Sequence, residues 1–294
     1  MAARGMRSDP LTSDYLVSAG GAAGLAAAFS APLSGLFFAL EGLHRSFSRP
    51  LVLSAAASAF LAGGLASGVF GLTPILAFVE VPQLPVRDYP WMLLVGVGSG
   101  LVGVLMTKGF LAAQSLYGHL PLLWRLTTAM AIAMVVQVTV PGLMGGGEGL
   151  IRVAQEASVG LGVMCALGLA KALVTMSSFG SGVPGGIFMP ILAVGALTGS
   201  FLACVLAQIG IVSTSIVPVA AVAAMAGALS GSVKSPLTAI MLTVEMVGSV
   251  HHLLPVALCA FTALGVSDLV RSPDVYGALL GRILTAHRIH AEQP

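Results

Sequence analysis

The residues best suited to chemistry lie in an eleven-residue stretch at positions 180–190, which is Gly-Ser-Gly-Val-Pro-Gly-Gly-Ile-Phe-Met-Pro. Its four glycines and two prolines cannot continue a helix. Strongly apolar runs flank it at residues 161–176 and 191–207. A helix that restarts near Ile187 leaves its first amide groups without intrahelical acceptors, and the positive end of its dipole attracts negative charge. The stretch therefore predicts an anion site that needs no basic side chain.

The alternative is an ordinary surface loop, since glycine and proline are also common there. The residues alone leave both interpretations open. Within a membrane, irregular backbone is tolerated only where it is buried in protein or lines a wet cavity. An interruption between two apolar runs is also where transporters place their binding sites.

The composition indicates a polytopic membrane protein. The chain has 294 residues, of which 57% are hydrophobic and 8% charged, with a mean hydropathy of +0.99. A soluble domain has about a quarter charged residues. The net charge of +2 is too small to indicate nucleic-acid binding. The three cysteines lie inside apolar runs, which is typical of small buried residues, and we expect no metal site.

The pattern of apolar runs predicts an all-α fold of spans and broken helices. We expect a polar N-terminal segment at residues 1–15, a membrane domain at 16–272, and a C-terminal amphipathic helix and tail at 273–294. The run at 17–43 is interrupted at Pro32 and predicts two short helices. A glycine-rich stretch at 142–155 predicts an irregular loop, because no P-loop signature follows its glycines. The remaining apolar runs are at residues 51–70, 91–116, 122–140, 161–176, 191–209, 211–229, 237–247 and 253–266.

The chain contains an internal repeat. Residues 30–41 are similar to residues 234–245, and each begins with a Pro-Leu-Ser/Thr sequence that opens an apolar segment. Both segments end in a glutamate nine positions after the proline, at Glu41 and Glu245. Repeats with paired broken helices are typical of transporters, which bind their substrate where the repeats meet.

These motifs resemble those of the CLC family of chloride channels and proton-coupled chloride transporters. Residues 186–190 match the family's G-x-F-x-P signature, and residues 20–41 resemble its alanine-rich segment ending in glutamate. Residues 234–245 are similar to its R-x-P-L-T segment, and residues 275–280 resemble the segment with its conserved tyrosine. The similarity extends from about Asp14 to about Ala286.

The resemblance implies a CLC-type inverted-repeat fold with tilted, broken and re-entrant helices, and transport of chloride or another halide. The implied anion-binding residues are Gly186, the amides of Ile187 and Phe188, and the Tyr276 hydroxyl. From the residues alone, Tyr276 is typical of an interfacial anchor. The resemblance further implies a homodimer in a bilayer, in the plasma (inner) membrane of a bacterium. We expect no cofactor, and a transporter rather than an enzyme.

The departures from the family are informative. Its G-S-G-I-P and G-R/K-E-G-P signatures are absent, so the first third of the usual membrane domain, with its first helices, is expected to be missing. Ser181 and Glu148 lie in the wrong contexts to replace those signatures. Glu41 is a candidate gating or proton-path residue, with a structural carboxylate as the alternative. It is followed by Gly42, where exchangers usually have a second glutamate.

Three other hypotheses remain from the sequence. The first is a fluoride or other halide transporter of the same family. The second is a membrane protein fragment that does not transport. The third is an intramembrane enzyme with a serine nucleophile and a histidine base, although no G-x-S-x-G sequence surrounds the serines. Its candidate residues are Ser177, Ser178, Ser181, His251 and His252.

Overall fold

The computed structural model describes residues 10–71, 76, 83–183 and 185–282, and these residues form helices and connecting turns without a strand. A π-helical turn (Phe38–Leu43) continues the helix Pro32–Phe37, and short 3₁₀ turns occur at Val86–Asp88, Pro141–Leu143 and Val250–His252. The helices are α1 (Pro10–Phe29), α2 (Pro32–Phe37), α3 (Arg49–Phe70), α4 (Tyr89–Gly118), α5 (Leu122–Thr139), α6 (Glu148–Glu156), α7 (Leu161–Gly180), α8 (Phe188–Gln208), α9 (Ile216–Val233), α10 (Pro236–Val247), α11 (Leu253–Leu269) and α12 (residues 275–282).

The all-α membrane architecture predicted from the sequence is confirmed. Within the described ranges, seven helical segments are long and apolar enough to cross a bilayer, so the chain is an integral membrane protein. Two shorter apolar helices, Pro32–Leu43 and Pro236–Val247, correspond to the repeat segments. Proline stands in the first turn of both, where a missing N–H costs no intrahelical hydrogen bond.

The structure corrects two local predictions. The stretch at residues 142–155 is not wholly irregular, because α6 begins at Glu148. Gly147 adopts φ +97° and turns the chain into this helix, which buries Leu150, Ile151 and Ala154. The first half of the run at 17–43 is also longer than expected, since the described part of α1 extends from Pro10 to Phe29. The described part of the tail is helical at residues 275–282, and the rest of the predicted tail lies outside the described residues.

Helix α9 lies at the centre of the core, and all of its residues except Pro218 are buried. Small residues allow the neighbouring helices to approach its backbone closely. A Cβ added at Gly195 of α8 would lie 2.6 Å from the Ala224 carbonyl oxygen and 2.8 Å from the Ala228 Cβ. A Cβ at Gly103 of α4 would lie 2.5 Å from the Ala228 carbonyl oxygen. Glycine at these positions therefore sets the spacing of α4, α8 and α9.

Hydroxyl groups join the same central helices. Thr107 of α4 forms a 2.9 Å hydrogen bond with the Ser232 hydroxyl of α9. Ser230 of α9 donates to the Ala260 carbonyl oxygen of α11 at 2.8 Å, and Ser267 of α11 donates to the Gly231 carbonyl oxygen at 2.8 Å. These side chains are buried, so each hydrogen bond both satisfies a polar group and fixes the register of two helices.

The two repeat segments cap each other. The Glu41 carboxylate, at the end of the first segment, accepts hydrogen bonds from the first turn of α10. The Glu245 carboxylate, near the end of α10, accepts hydrogen bonds from the first turn of α2. This exchange of end-to-start contacts requires the two segments to lie antiparallel. The two segments that are similar in sequence therefore contact each other reciprocally in the fold.

Gly195→Ala is expected to destabilise the protein by roughly 1–3 kcal/mol, because the added methyl group must push α8 away from α9. The matched control is Gly64→Ala in α3, where a Cβ meets nothing within 4 Å. This control should leave stability unchanged or raise it slightly, since alanine favours helix. Thermal unfolding of the two variants in detergent compares them, and equal melting temperatures would contradict the packing argument.

Candidate anion-binding site

The interrupted helix predicted at residues 180–190 is present. Helix α7 ends at Gly180, and α8 begins at Phe188. The first intrahelical hydrogen bond of α8 runs from the Ile191 amide to the Ile187 carbonyl oxygen, at 3.1 Å. The amides of Phe188 and Met189 therefore have no acceptor within the helix. Among the described residues, the N-cap residue Ile187 supplies no side-chain cap and no acidic residue lies in the first turn, so nothing local offsets the positive end of the dipole.

The break lines a cavity of about 490 Å³ between α5, α7 and the start of α8. Gly185, Gly186 and Ile187 form one part of its wall, and Lys171 of α7 forms another. This lysine is only 2% exposed. Its Nζ donates to the carbonyl oxygens of Leu143 at 2.8 Å and Gly145 at 2.7 Å. A buried cation and a free helix start thus border the same space, and both favour negative charge there.

Phe188 and Tyr276, which the family resemblance implies share a site, lie in contact. With Phe29 and Phe38 they form an aromatic cluster. The Phe38 ring centroid lies 5.5 Å from that of Phe188 and 6.0 Å from that of Tyr276, in edge-to-face arrangements. The Phe188 and Tyr276 centroids are 6.3 Å apart. The aromatic cluster therefore joins the start of α8, the π turn and α12.

The position of Tyr276 is fixed by its own helix. Asp274 accepts a 2.7 Å hydrogen bond from the Gly277 amide at the start of α12. It also forms an ion pair with Arg45, at 2.7 Å. Arg282, at the other end, donates to the Leu111 carbonyl oxygen at 2.8 Å. Burial raises the pKa of Tyr276 to about 12. Its hydroxyl is thus protonated at neutral pH and available as a donor.

Glu41 does not face the break. Its carboxylate accepts hydrogen bonds from the Leu237 amide at 3.2 Å, the Thr238 amide at 2.9 Å and the Thr238 hydroxyl at 3.0 Å. These contacts give Glu41 a structural role as a cap of α10, and a gate or proton path at Glu41 stays a prediction. Two of the three serine hydroxyls of the enzyme hypothesis are bonded to other groups. Ser177 pairs with the Tyr117 hydroxyl and Ser181 donates to the Ser178 carbonyl oxygen.

Comparison with known proteins gives the family. The family model described as voltage gated chloride channel matches residues 2–268. The chain belongs to the voltage-gated chloride channel family. The H(+)/Cl(-) exchange transporter ClcA of Vibrio cholerae is 30% identical over 290 residues, which cover 96% of this chain and 62% of that protein. The protein of the same name from Vibrio campbellii is 31% identical over 294 residues, which cover 97% of this chain and 62% of that protein.

Solved structures show the same fold. A slow cyanobacterial Cl-/H+ antiporter aligns with a TM-score of 0.83 and 25% identity, covering 95% of this chain and 65% of that one. A CLC-type fluoride/proton antiporter aligns with a TM-score of 0.73 and 23% identity, covering 89% of this chain and 64% of that one. The chain thus spans about two thirds of the length of these relatives and has the fold of the voltage-gated chloride channel family.

Sequence reasoning missed two residues at this site. Lys171 is a single charged residue inside the apolar run at 161–176, and that isolation was the available signal. Phe38 lies within the repeat but had no signal of its own, because an aromatic residue in an apolar helix is typical of a core or lipid contact. Only the packing brings its ring to Phe188 and Tyr276.

Lys171→Met should lower the stability of the protein, because it leaves the Leu143 and Gly145 carbonyl oxygens without their donor. The expected cost is roughly 1–3 kcal/mol per lost partner. Lys108→Met is the matched control, since Lys108 also lies in an apolar helix but is exposed. Thermal unfolding in detergent measures both. A Lys171→Met variant as stable as Lys108→Met would contradict the structural role of this lysine.

Proposed function

We propose that the chain binds and transports a halide anion across a membrane, with chloride as the first candidate, at the break between the end of α7 at Gly180 and the start of α8 at Phe188. The anion-binding groups are the backbone at Gly186, the amides of Ile187 and Phe188, and the Tyr276 hydroxyl. The proposed mechanism needs no cofactor, because the helix start itself supplies the donors.

One observation carries the proposal. Three helices begin at breaks in the apolar sequence, namely α2, α8 and α10. The starts of α2 and α10 each bind a glutamate carboxylate from the opposite repeat. Within the part of the chain that the structure describes, the start of α8 has no capping side chain, and it borders the cavity. An anion at this start would do for α8 what Glu245 and Glu41 do for the other two helices.

The relatives support the same function. The curated relatives are named as H(+)/Cl(-) exchange transporters, and the aligned cyanobacterial structure is a Cl-/H+ antiporter. None of these names describes an enzyme. Because the chain spans 62% of the length of the curated relatives, its own transport activity is part of this proposal. We also propose a homodimer in the plasma (inner) membrane of a bacterium.

Halide efflux from liposomes reconstituted with the purified chain tests the proposal directly. Chloride-loaded liposomes should release chloride faster than protein-free liposomes, and fluoride-loaded liposomes test the competing selectivity. Cross-linking in the same membranes should yield a dimer if the chain pairs with itself. Liposomes that release neither halide, together with protein that shows no halide binding by calorimetry, would overturn the proposed function.

Tyr276→Phe should weaken chloride binding by roughly ten-fold, because it removes one donor worth about 1.5 kcal/mol to a charged acceptor. Tyr117→Phe is the matched control. Its hydroxyl pairs with the Ser177 hydroxyl at 2.7 Å and is not among the proposed anion ligands. Isothermal titration calorimetry measures both variants, and equal chloride affinities would count against Tyr276 as a ligand.

A further inference from the structure

The two reciprocal caps are similar in chemistry but differ in what surrounds them. Glu245 accepts from the Leu33 amide at 2.9 Å and the Ser34 amide at 2.8 Å, and also from the Ser34 hydroxyl. Glu41 accepts from the equivalent two amides and hydroxyl of α10. Glu245 lies in a regular α-helix, whereas Glu41 lies in the π turn Phe38–Leu43. The helical geometry therefore changes in only one of the two repeats.

The π turn carries Phe38 as well as Glu41. Phe38 is 8% exposed and contacts both Phe188 and Tyr276 in the aromatic cluster. A π-helical turn widens the helix by one residue per turn and is often found at functional sites. Here it allows one short segment to direct a ring to the anion site and a carboxylate to the start of α10.

Gly42 connects these two contacts. A Cβ at Gly42 would lie 2.8 Å from the Phe38 ring and 3.4 Å from the Ser235 hydroxyl at the start of α10. The backbone next to Glu41 is therefore packed between the Phe38 ring and the helix that Glu41 caps. A shift of the π turn away from α10 would change the position of this ring.

We propose that Glu41 is a positioning residue for the anion site. By capping α10 it holds the π turn in place, and the π turn holds the Phe38 ring against Phe188 and Tyr276. This role acts through Phe38 and requires no contact between Glu41 and the anion. Its effect on anion binding rests on the proposed function, whereas its effect on the aromatic cluster does not.

The chain offers matched variants for a test. Glu41→Gln and Glu245→Gln each remove one charge from a cap with the same kinds of donors. Thr238→Val and Ser34→Ala are a milder pair, because each removes only the hydroxyl donor of one cap and keeps its carboxylate. The milder pair is used if a glutamine variant does not fold. Thr238→Val also keeps the Glu41 carboxyl group able to bind a proton.

Two measurements report on the proposal separately. Fluorine NMR of the chain labelled with 3-fluorotyrosine follows Tyr276, and its signal is assigned by Tyr276→Phe among the four tyrosines. Because the Phe38 ring lies beside Tyr276, displacement of the ring changes the chemical shift. Isothermal titration calorimetry with sodium chloride measures the anion affinity of the same variants.

Glu41→Gln and Thr238→Val are expected to shift the Tyr276 signal, and Glu41→Gln to weaken chloride binding by roughly ten-fold through a misplaced ring. Glu245→Gln and Ser34→Ala should leave the signal in place and the affinity within about two-fold. If the wild type binds no chloride while the Tyr276 signal still shifts only in the Glu41 and Thr238 variants, the positioning role stands and the proposed function fails. An unmoved signal in Glu41→Gln and Thr238→Val, or equal effects of both caps, overturns the positioning role.

Discussion

The start of an interrupted helix inside a membrane protein leaves N–H groups that neither lipid nor the helix can satisfy, and this constraint organises the structure. The protein meets it twice with its own carboxylates, because Glu41 caps α10 and Glu245 caps α2. At α8 the described residues provide no capping side chain. The two occupied starts are therefore an internal precedent for what the third one would bind. A carboxylate oxygen and a halide ion both accept hydrogen bonds from backbone amides, and the positive end of the helix dipole attracts both.

The need for an acceptor at each helix start explains why the two glutamates are at equivalent positions of the repeat. Each proline opens a short helix whose first amides need an acceptor, and each glutamate nine residues later supplies one to the other repeat. Neither segment can complete its own backbone hydrogen bonding. The reciprocal caps formed by Glu41 and Glu245 thus require the two repeats to fold together, although about 200 residues separate the paired groups.

Much of this architecture could be predicted from local sequence. Pro32, Pro236 and the stretch at residues 180–190 mark helix interruptions by chemistry that acts within a few residues. The reciprocal partners of Glu41 and Glu245 could not be predicted in this way, because the contact depends on how two distant segments dock. The helix at Glu148–Glu156 was missed for a related reason. Its glycines indicated a loop, but Leu150, Ile151 and Ala154 form one buried face that becomes clear only when the core is known.

The two lysines inside apolar helices also show that local sequence does not determine which of them is buried. Lys108 and Lys171 have similar apolar neighbours in sequence, yet Lys108 is exposed and Lys171 is 2% exposed. The difference comes from the glycine-rich turn, whose Leu143 and Gly145 carbonyl oxygens accept from Lys171. A periodicity argument cannot detect this, since the acceptors belong to backbone more than 25 residues away.

The placement of Lys171 also bears on why a transport site would use backbone donors. A free ammonium group in a low-dielectric cavity would hold an anion strongly, whereas conduction requires binding weak enough to allow release. Here the Nζ of Lys171 donates to two carbonyl oxygens, which partly offset its charge. The anion at the break would then meet partial charges from the amides and, as proposed, from the Tyr276 hydroxyl, whereas the full charge of Lys171 lies on another part of the cavity wall. Attraction at entry and release at exit can coexist in a site where the groups that contact the ion carry only partial charges.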